Sequence, residues 1–587
     1  MSLIRKTLAT AGLLALQGLP SAAVAAHYYV SASGTADNSG PGTREQPWGN
    51  LQRAITDVLQ AGDTLTVVGH YTVNSRVLIV KNPSGQAITI NGEPLVPGGG
   101  HQLTCAVPRR TQDTDPTPDC IAIEDSSNLV LANLVLDGTS TPEGSLIRIK
   151  RSHHIRVSDS KLQHSNVYGI YLDGQRNVDH SDVFERNEFI NNKNTALYLM
   201  LGNNLTVSRN LIDTVTDGDG IVIVEAVGAT VANNTVRNVR KVVGSQGKDG
   251  IKIRPSENVV IQGNHVENIA GSGIYLADPY DWAIRKRHAG VKVLDNTVTL
   301  VARVNEGDGT PRCQGFGWPS ALNVSRTDDA IVQNNSVYRN YGEGITLNDA
   351  TRATVKLNDA HDNFGVNYYL NNASNSVVDR NESINDPTLT DFFRCGAPAG
   401  GIGMANERAD YDNHQPLSRL RITNNIVVNS RFGINFYWEK SDHYHPRSMT
   451  GLKKVDILNN TVSRTWENAL AIVDTGNHTG NHVQSNIWKT DSAWPVAKVP
   501  AVGFDCLANL WWAPTSPGAC ASHADVLADP QFIDANGSSP KEYMLAAGSP
   551  AIDAAQYSIV MPSIWHDYFG TKRALSAWDI GAHEYKP

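Results

Sequence analysis

A repeat of 23 residues or a little more constrains this chain more than anything else in it. Asparagine recurs at 187, 210, 234, 264, 296, 335, 358, 381, 425, 460 and 486, and three of the intervals are 23 residues. Each asparagine opens the same frame, as in Asn234-Thr235-Val236, Asn335-Ser336-Val337 and Asn460-Thr461-Val462. A small residue with an aliphatic one follows in each unit: Gly220-Ile221, Gly250-Ile251, Gly273-Ile274, Ala321-Leu322, Gly344-Ile345, Gly433-Ile434. Runs such as Ile251-Lys252-Ile253-Arg254 alternate apolar and variable side chains, which is the period of a strand. One unit is too short to bury a face alone, so the units must stack as coils. Short strands at a fixed period, bent at Asn and Gly, predict an all-β parallel β-helix solenoid. The asparagines are expected to stack as an internal ladder that satisfies turn backbone groups of neighbouring coils.

The ends of the chain are different. Residues 1–26 read as a signal peptide: Arg5 and Lys6 precede an apolar run from Leu13 to Val24, and Ala23-Val24-Ala25 fits the small-x-small cleavage pattern. That run is too short to span a membrane, and no later stretch is long enough. Export follows as the expectation, to a secreted or periplasmic location. Six cysteines, an even number, agree with it. Cys105 and Cys120 bracket one polar loop, and Cys506 and Cys520 another. Cys313 and Cys395 are left for each other; fifteen pairings are formally possible, so this connectivity is a hypothesis. No cysteine spacing suggests zinc. A net charge of −8 over 587 residues is weak and argues against general nucleic-acid binding. A monomer is expected. Residues 27–71 are read as an N-terminal cap segment. Within it Leu51, Ala54, Ile55, Val58 and Leu59 keep helical spacing after Pro47, so a helix is expected to cover the first coil. The β-helix is assigned to 72–525 and a C-terminal covering segment to 526–587.

The Tyr28-Tyr29-Val30-Ser31 start, the cap helix, the Asn and Gly-Ile coils, and the tail from Asp529-Pro530 through Ser549-Pro550-Ala551-Ile552-Asp553 to Asp579-Ile580-Gly581-Ala582 carry a resemblance. The chain resembles secreted bacterial right-handed parallel β-helix repeat proteins over nearly its whole mature length. The resemblance implies a right-handed solenoid. It implies an activity only broadly, since such proteins include polysaccharide lyases, C5-epimerases, glycoside hydrolases and proteins of unknown role.

Function is therefore sought where the repeat breaks. Insertions fall at both ends of the strand that begins with the Gly-Ile motif, and only in the middle and later coils. Two walls beside one sheet make a groove, and a walled groove on a rigid scaffold is the default ligand site. The alternative is that the loops decorate a surface. By alternation, the outward row on the floor is Tyr171, Tyr198, Val222, Lys252, Tyr275, Asn323, Thr346, Tyr369, Gly403 and Asn435. A second row includes Asp173, Met200, Val224, Arg254, Asn348, Asn371, Ala405 and Tyr437. The walls contribute Arg285, Lys286, Arg287 and His288 on one insertion, and Trp438, Glu439 and His443 on another. Tyrosines and amides suit sugar rings and hydroxyls. Cations around a groove in a negatively charged protein point to an anionic ligand, and an acidic polysaccharide is the expected partner.

β-Elimination of a uronic-acid polymer fits these parts. Arg254 would neutralise the sugar carboxylate. Lys252 would take the C5 proton, provided its pKa is lowered. Tyr275 or His443 would protonate the leaving oxygen. The substrate-binding candidates are Arg285, Arg287, His288, Asn348, Tyr369, Asn371, Asn435 and Trp438. Asp217, Asp219 and Asp249 precede strand starts at one corner and are candidates for Ca²⁺; the competing reading is that Asp-Gly simply makes turns. The resemblance to β-helix lyases of the pectate lyase family nine type implies calcium-binding aspartates with a lysine base, but their denser Asp set is missing here. A C5-epimerase would share the base and the neutralising cation. Hydrolysis needs two carboxylates at a set separation, with Asp249, Asp278, Glu343, Asp349, Glu407 and Glu439 as candidates. A non-catalytic carbohydrate-binding or structural solenoid is the remaining class.

Overall fold

The computed structural model describes residues 25–587 except 36, 94–101, 113–115, 141–142, 241–246, 279–285, 307–318, 390–395, 408–415, 440–450 and 575–576. The signal-peptide reading, and the pairing of Cys313 with Cys395, fall outside the described residues.

The chain winds as a solenoid of three parallel sheets, of 17, 15 and 16 strands, around one apolar core. A representative coil runs through Thr230–Ala232, Thr235–Val239 and Ile251–Ile253, one strand in each sheet. Inward residues stack on their equivalents, so Val236 lies over Val266 and Ile251 over Ile274. All four are fully buried. Parallel strands buried on one face against their own stack need no partner domain, which is why a 587-residue chain forms one solenoid.

The first turn of each coil holds the predicted asparagine ladder. The Asn234 side-chain amide donates to Asn264 Oδ1 at 3.0 Å and to the Val207 carbonyl at 2.9 Å, and its backbone N–H donates to the same Oδ1 at 2.9 Å. The pattern is unbroken through the predicted series and ends on Asn509. The residue before a ladder asparagine turns the chain with positive φ, 57° at both Asn233 and Asn334. Asparagine wins these positions because its amide has a donor and an acceptor to offer in opposite directions along the axis.

The cap helix forms over Leu51–Arg53 and continues as a wider turn over Ala54–Val58, with the Asn50 side chain accepting from the Arg53 N–H. Leu51, Ala54, Ile55 and Leu59 are buried against the first coil, as their spacing predicts. The strand His27–Thr35 already pairs with Thr64–Val68, so the solenoid begins before the helix rather than after it. The disulfides Cys105–Cys120 and Cys506–Cys520 are both present.

The tail covers a side as well as an end. Near the last coil, Cys520 joins the apolar core through its disulfide. Beyond it the chain turns back along the flank of the ladder-bearing sheet, where Tyr543, Leu545, Ala551, Ile580 and Ala582 pack on Ile384, Ile426, Val428, Ile487 and Leu510. No helix among the described residues is long and apolar enough to cross a membrane.

Candidate functional site

The 15-stranded sheet forms the floor, and its register reproduces the predicted outward row. Tyr171, Tyr198, Val222, Lys252, Tyr275, Asn323, Thr346, Tyr369, Gly403 and Asn435 pair in sequence along the axis. Neighbouring coils are about 4.8 Å apart. The second row departs from expectation at one point. An irregularity between Met404 and Ala405 brings Ala405 opposite Trp438 rather than Tyr437. The extra residue leaves Tyr437 45 % exposed, with its ring 6.1 Å from that of Tyr369. Strict alternation cannot foresee a bulge. The long insertions leave from both ends of this sheet, as predicted; Arg285 and His443 on them lie outside the described residues.

Lys252 does not meet the condition its proposed role required. Its ammonium is bracketed by Asp249 Oδ2 at 2.6 Å and by Asp219 Oδ1 and Oδ2 at 3.0 and 3.1 Å. Burial alone would lower its pKa, but the two carboxylates outweigh burial and raise it. A lysine held charged between two acids is no base at neutral pH. The same contact places an ammonium where a Ca²⁺ ion held by Asp219 and Asp249 would have to compete with it. Asp219 and Asp249 belong to a corner ladder in which each carboxylate accepts a backbone N–H from the next coil: Asp249 N–H to Asp219 at 2.7 Å, Ser272 N–H to Asp249 at 2.8 Å. Their remaining oxygens hold the lysine, which already supplies the positive charge, while Asp217 is exposed one turn away. No group of three or more metal-ligating side chains suited to a metal ion occurs among the described residues. The turn-forming reading of Asp-Gly is the one the geometry supports.

Other predicted cations are also committed. Arg287 donates to Asp328 at 2.8 Å, to Asp349 Oδ2 at 2.9 Å and to the Asp349 carbonyl at 2.6 Å. Lys286 lies 3.6 Å from Glu225. His288 is fully buried in the short strand His288–Ala289, with Nε2 2.9 Å from the Ala277 carbonyl and Nδ1 accepting from the Ser256 N–H. Burial, with Arg287 and Lys286 nearby, pushes its pKa down to about 4. It ties this strand to the Ser256 and Ala277 segments and is too buried to face substrate. Arg254 donates to the Asp278 carbonyl at 2.8 Å, beside Tyr275 on the next coil.

A different constellation lies two and more coils further on. Glu343 sits just before the strand Ile345–Asn348, at the corner occupied by Asp249 three coils earlier. Its Oε2 accepts from Ser320 Oγ at 2.7 Å and Thr346 Oγ1 at 2.9 Å. Burial, and the charge of Glu407, push its pKa up to about 7; the two hydroxyl bonds only partly oppose this. Glu407 follows the strand Gly400–Asn406, which is itself regular and pairs with the bulged strand Ile434–Glu439. Its backbone N–H donates to Asn371 Oδ1 at 2.9 Å, which turns the chain back toward the floor. Burial raises its pKa as well, and the neighbouring Tyr369 hydroxyl acts against that rise without reaching hydrogen-bond geometry. Tyr369 feels the charge of both glutamates, and burial lifts its own pKa well above the usual tyrosine value. Asn348 and Asn371, at 6 % and 4 % exposure, are paired neighbours in the second row, with Asn371 donating to Asn348 at 3.2 Å, and Asn435, 5 % exposed, stands in the first row. Gly403 lies closely packed among them, since a Cβ there would come within 3.2 Å of Val366 and 3.4 Å of Asn435 Oδ1.

Two carboxyl groups with raised pKa values, a buried tyrosine between them, and hydroxyls and amides around them are parts for proton transfer to and from a polar ligand. Glu343 and Glu407 stand among the carboxylates singled out above for hydrolysis. Sequence alone could not choose this pair, because Glu407 lies past the end of its strand, where alternation no longer assigns a side, and is placed by its backbone bond to Asn371.

The class of protein is a right-handed parallel β-helix. The family model for the right handed beta helix region matches residues 145–309. Among solved structures, the Dettilon tailspike protein gp208 is 15% identical, with 78% of this chain and 66% of that chain covered and a TM-score of 0.35. This chain thus spans just under two thirds of that one. Pectate lyase Pel9A is 14% identical, with 96% of each chain covered and a TM-score of 0.25. The A-module of Azotobacter vinelandii mannuronan C-5 epimerase AlgE6 is 14% identical, with 74% and 91% covered and a TM-score of 0.31. No curated protein matches.

Proposed function

We propose that this chain is a polysaccharide-active enzyme that hydrolyses a glycosidic bond at the Glu343–Glu407 pair. The observation that carries the reading is the proximity of two carboxyl groups, both shifted toward protonation and one acting on the other, among buried tyrosine, hydroxyl and amide groups. Hydrolysis requires one carboxylic acid to protonate the leaving oxygen and one carboxylate to activate water or attack the sugar. Glu343, with its pKa near neutrality, is the acid. Glu407 is the base or nucleophile, its ionised form favoured by the Tyr369 hydroxyl. Asn348, Tyr369, Asn371 and Asn435 would bind sugar hydroxyls across the same floor.

β-Elimination is less well served, because Lys252 is charged and Tyr369 is held protonated, and neither can take a C5 proton. Arg254, Tyr275 and His443 would be its carriers. The test separates the two chemistries. The protein is incubated with alginate, polygalacturonate, hyaluronan, xylan and bacterial exopolysaccharides, and both new reducing ends and the ultraviolet absorbance of an unsaturated sugar are followed. Reducing ends without that absorbance, falling about 10³-fold in Glu343→Gln and Glu407→Gln, are expected. An unsaturated product retained in both variants would overturn the reading in favour of elimination.

A further inference from the structure

The corner that carries Glu343 continues past the candidate site. The positions two residues ahead of each strand start are Glu343, Val366, Gly400, Phe432, Asn468 and Pro495 in consecutive coils. On the last two of these coils the corner carries Trp466 and Trp494. They are 43 % and 55 % exposed. Tryptophan has more apolar surface to hide than any other side chain, and two exposed on adjacent coils of one corner need a reason.

Their surroundings limit the reason. Each indole stands in a polar stretch, Thr465-Trp466-Glu467-Asn468 and Asp491-Ser492-Ala493-Trp494. Glu467 is paired with Arg431 at 2.7 Å. Thr490 Oγ1 donates to the Thr465 carbonyl at 3.0 Å, and the Asn468 amide to the Pro495 carbonyl at 2.5 Å. The backbone beneath both rings is therefore fixed, and the rings are presented from it. The core of a protein interface is depleted of charge, whereas flat rings set among hydroxyls, amides and a carboxylate match a sugar, which has an apolar face and a polar rim. The coils that bear the rings are about 19–24 Å along the axis from Glu343, at about 4.8 Å per coil. That is the reach of a polymer, not of a single sugar.

We propose that Trp466 and Trp494 form a distal platform on which a polysaccharide chain stacks as it leaves the Glu343–Glu407 site along the solenoid axis. The platform rests on the reading of the groove as a polysaccharide site, but not on the bond being hydrolysed. It makes the protein a binder of long chains, able to hold the polymer whether or not chemistry occurs.

Affinity electrophoresis tests it. Glu343→Gln protein is run in native gels cast with alginate, polygalacturonate, hyaluronan, xylan or xanthan, with and without the added pair Trp466→Ala and Trp494→Ala. Retardation by at least one polymer is expected, with a tenfold or greater loss of apparent affinity in the double tryptophan variant. Trp565→Ala, which removes another tryptophan 48 % exposed on the tail, is the control and should change nothing. Thermal unfolding checks that the variants fold, as replacements of exposed rings should. Retardation that survives loss of both tryptophans overturns the platform and leaves the groove reading standing. Retardation in none of the gels overturns the platform as well. Tryptophan-dependent retardation, with reducing-end release undiminished in the Glu343→Gln and Glu407→Gln proteins, supports the platform while removing the Glu343–Glu407 chemistry.

Discussion

At the scale of single residues, the site turns on where charge is allowed to sit. Glu343 is most at ease protonated, and this fixes the sign of two pH effects. Its folded pKa, about 7, lies above the value of 4.5 for a free glutamate. The stability it contributes is complete below the free value and is lost as pH rises through about 7. Glu343→Gln should therefore melt higher than the parent at pH 8, and no higher at pH 4.5, by differential scanning calorimetry. Reducing-end release should fall on the alkaline side with an apparent pKa near 7, because the acid form is the working form. Lys252 shows the opposite arrangement, a charge kept because its partners are buried with it. Lys252→Ala leaves Asp219 and Asp249 facing each other without a cation, and a loss on the order of 3 kcal/mol is expected in urea denaturation. Since the triad already carries its own cation, a chelator should leave the parent protein's activity unchanged. Activity abolished by chelator and restored by Ca²⁺ would show that the aspartates serve a metal after all.

At the scale of the element, one strand and its turns were readable in advance and one irregularity was not. The period of two in Ile251-Lys252-Ile253 determines which side chains face out, and the register of ten successive floor residues follows from it. The ladder asparagines were equally legible, because a polar residue at a fixed place in an apolar frame must have a repeating partner. What the period cannot carry is a change of period. The extra residue in Ile434–Glu439 exposes Tyr437, while Glu407 lies beyond the end of its strand, held by a backbone bond to Asn371, so half of the candidate pair was invisible to spacing. Ion pairing was invisible too: Lys252 and Arg287 look like free charges in a sequence, but in the fold Lys252 is held by Asp219 and Asp249, and Arg287 by Asp328 and Asp349. The ladder itself gives a sharp expectation. Asn335→Ala removes the acceptor for both the backbone N–H and the side-chain amide of Asn296, and a donor to Asn358 and to the Val293 carbonyl. Several buried groups lose partners at once, at about 1–3 kcal/mol for each left unsatisfied. Equilibrium unfolding should show a loss of at least about 3 kcal/mol, far more than an Asn→Ala change on an exposed loop. A loss below 1 kcal/mol would mean that water replaces the ladder.

At the scale of the molecule, a solenoid holds together through contacts between neighbouring coils, so its cooperativity depends on anything that bridges several of them. The tail is such a bridge. Tyr568 donates to Glu382 at 3.2 Å, Arg573 to Asn424 at 3.0 Å, Tyr557 to Asn459 at 2.7 Å, and the Gly581 N–H to the Ser485 carbonyl at 2.8 Å. These contacts touch coils in succession toward the C-terminal end. Arg573 is at their centre, 3 % exposed and paired with Glu584 at 3.1 Å. Arg573→Ala would leave Glu584 buried without its cation, a loss of about 3–5 kcal/mol by comparison with other broken buried pairs. The tail packs on the ladder-bearing sheet, whereas Glu343 and Glu407 face the groove beside a different sheet, so the two should separate experimentally. In Arg573→Ala, hydrogen exchange should quicken in the tail and in the coils it crosses, from Glu382 to Trp512, while the coils between Thr206 and Val298 keep their protection. The alkaline limb of the pH profile should stay near 7, because neither the Ser320 and Thr346 hydroxyls nor Glu407 touches the tail. A uniform rise in exchange over all coils would show instead that the solenoid unfolds as one unit and that the tail clamps the whole of it.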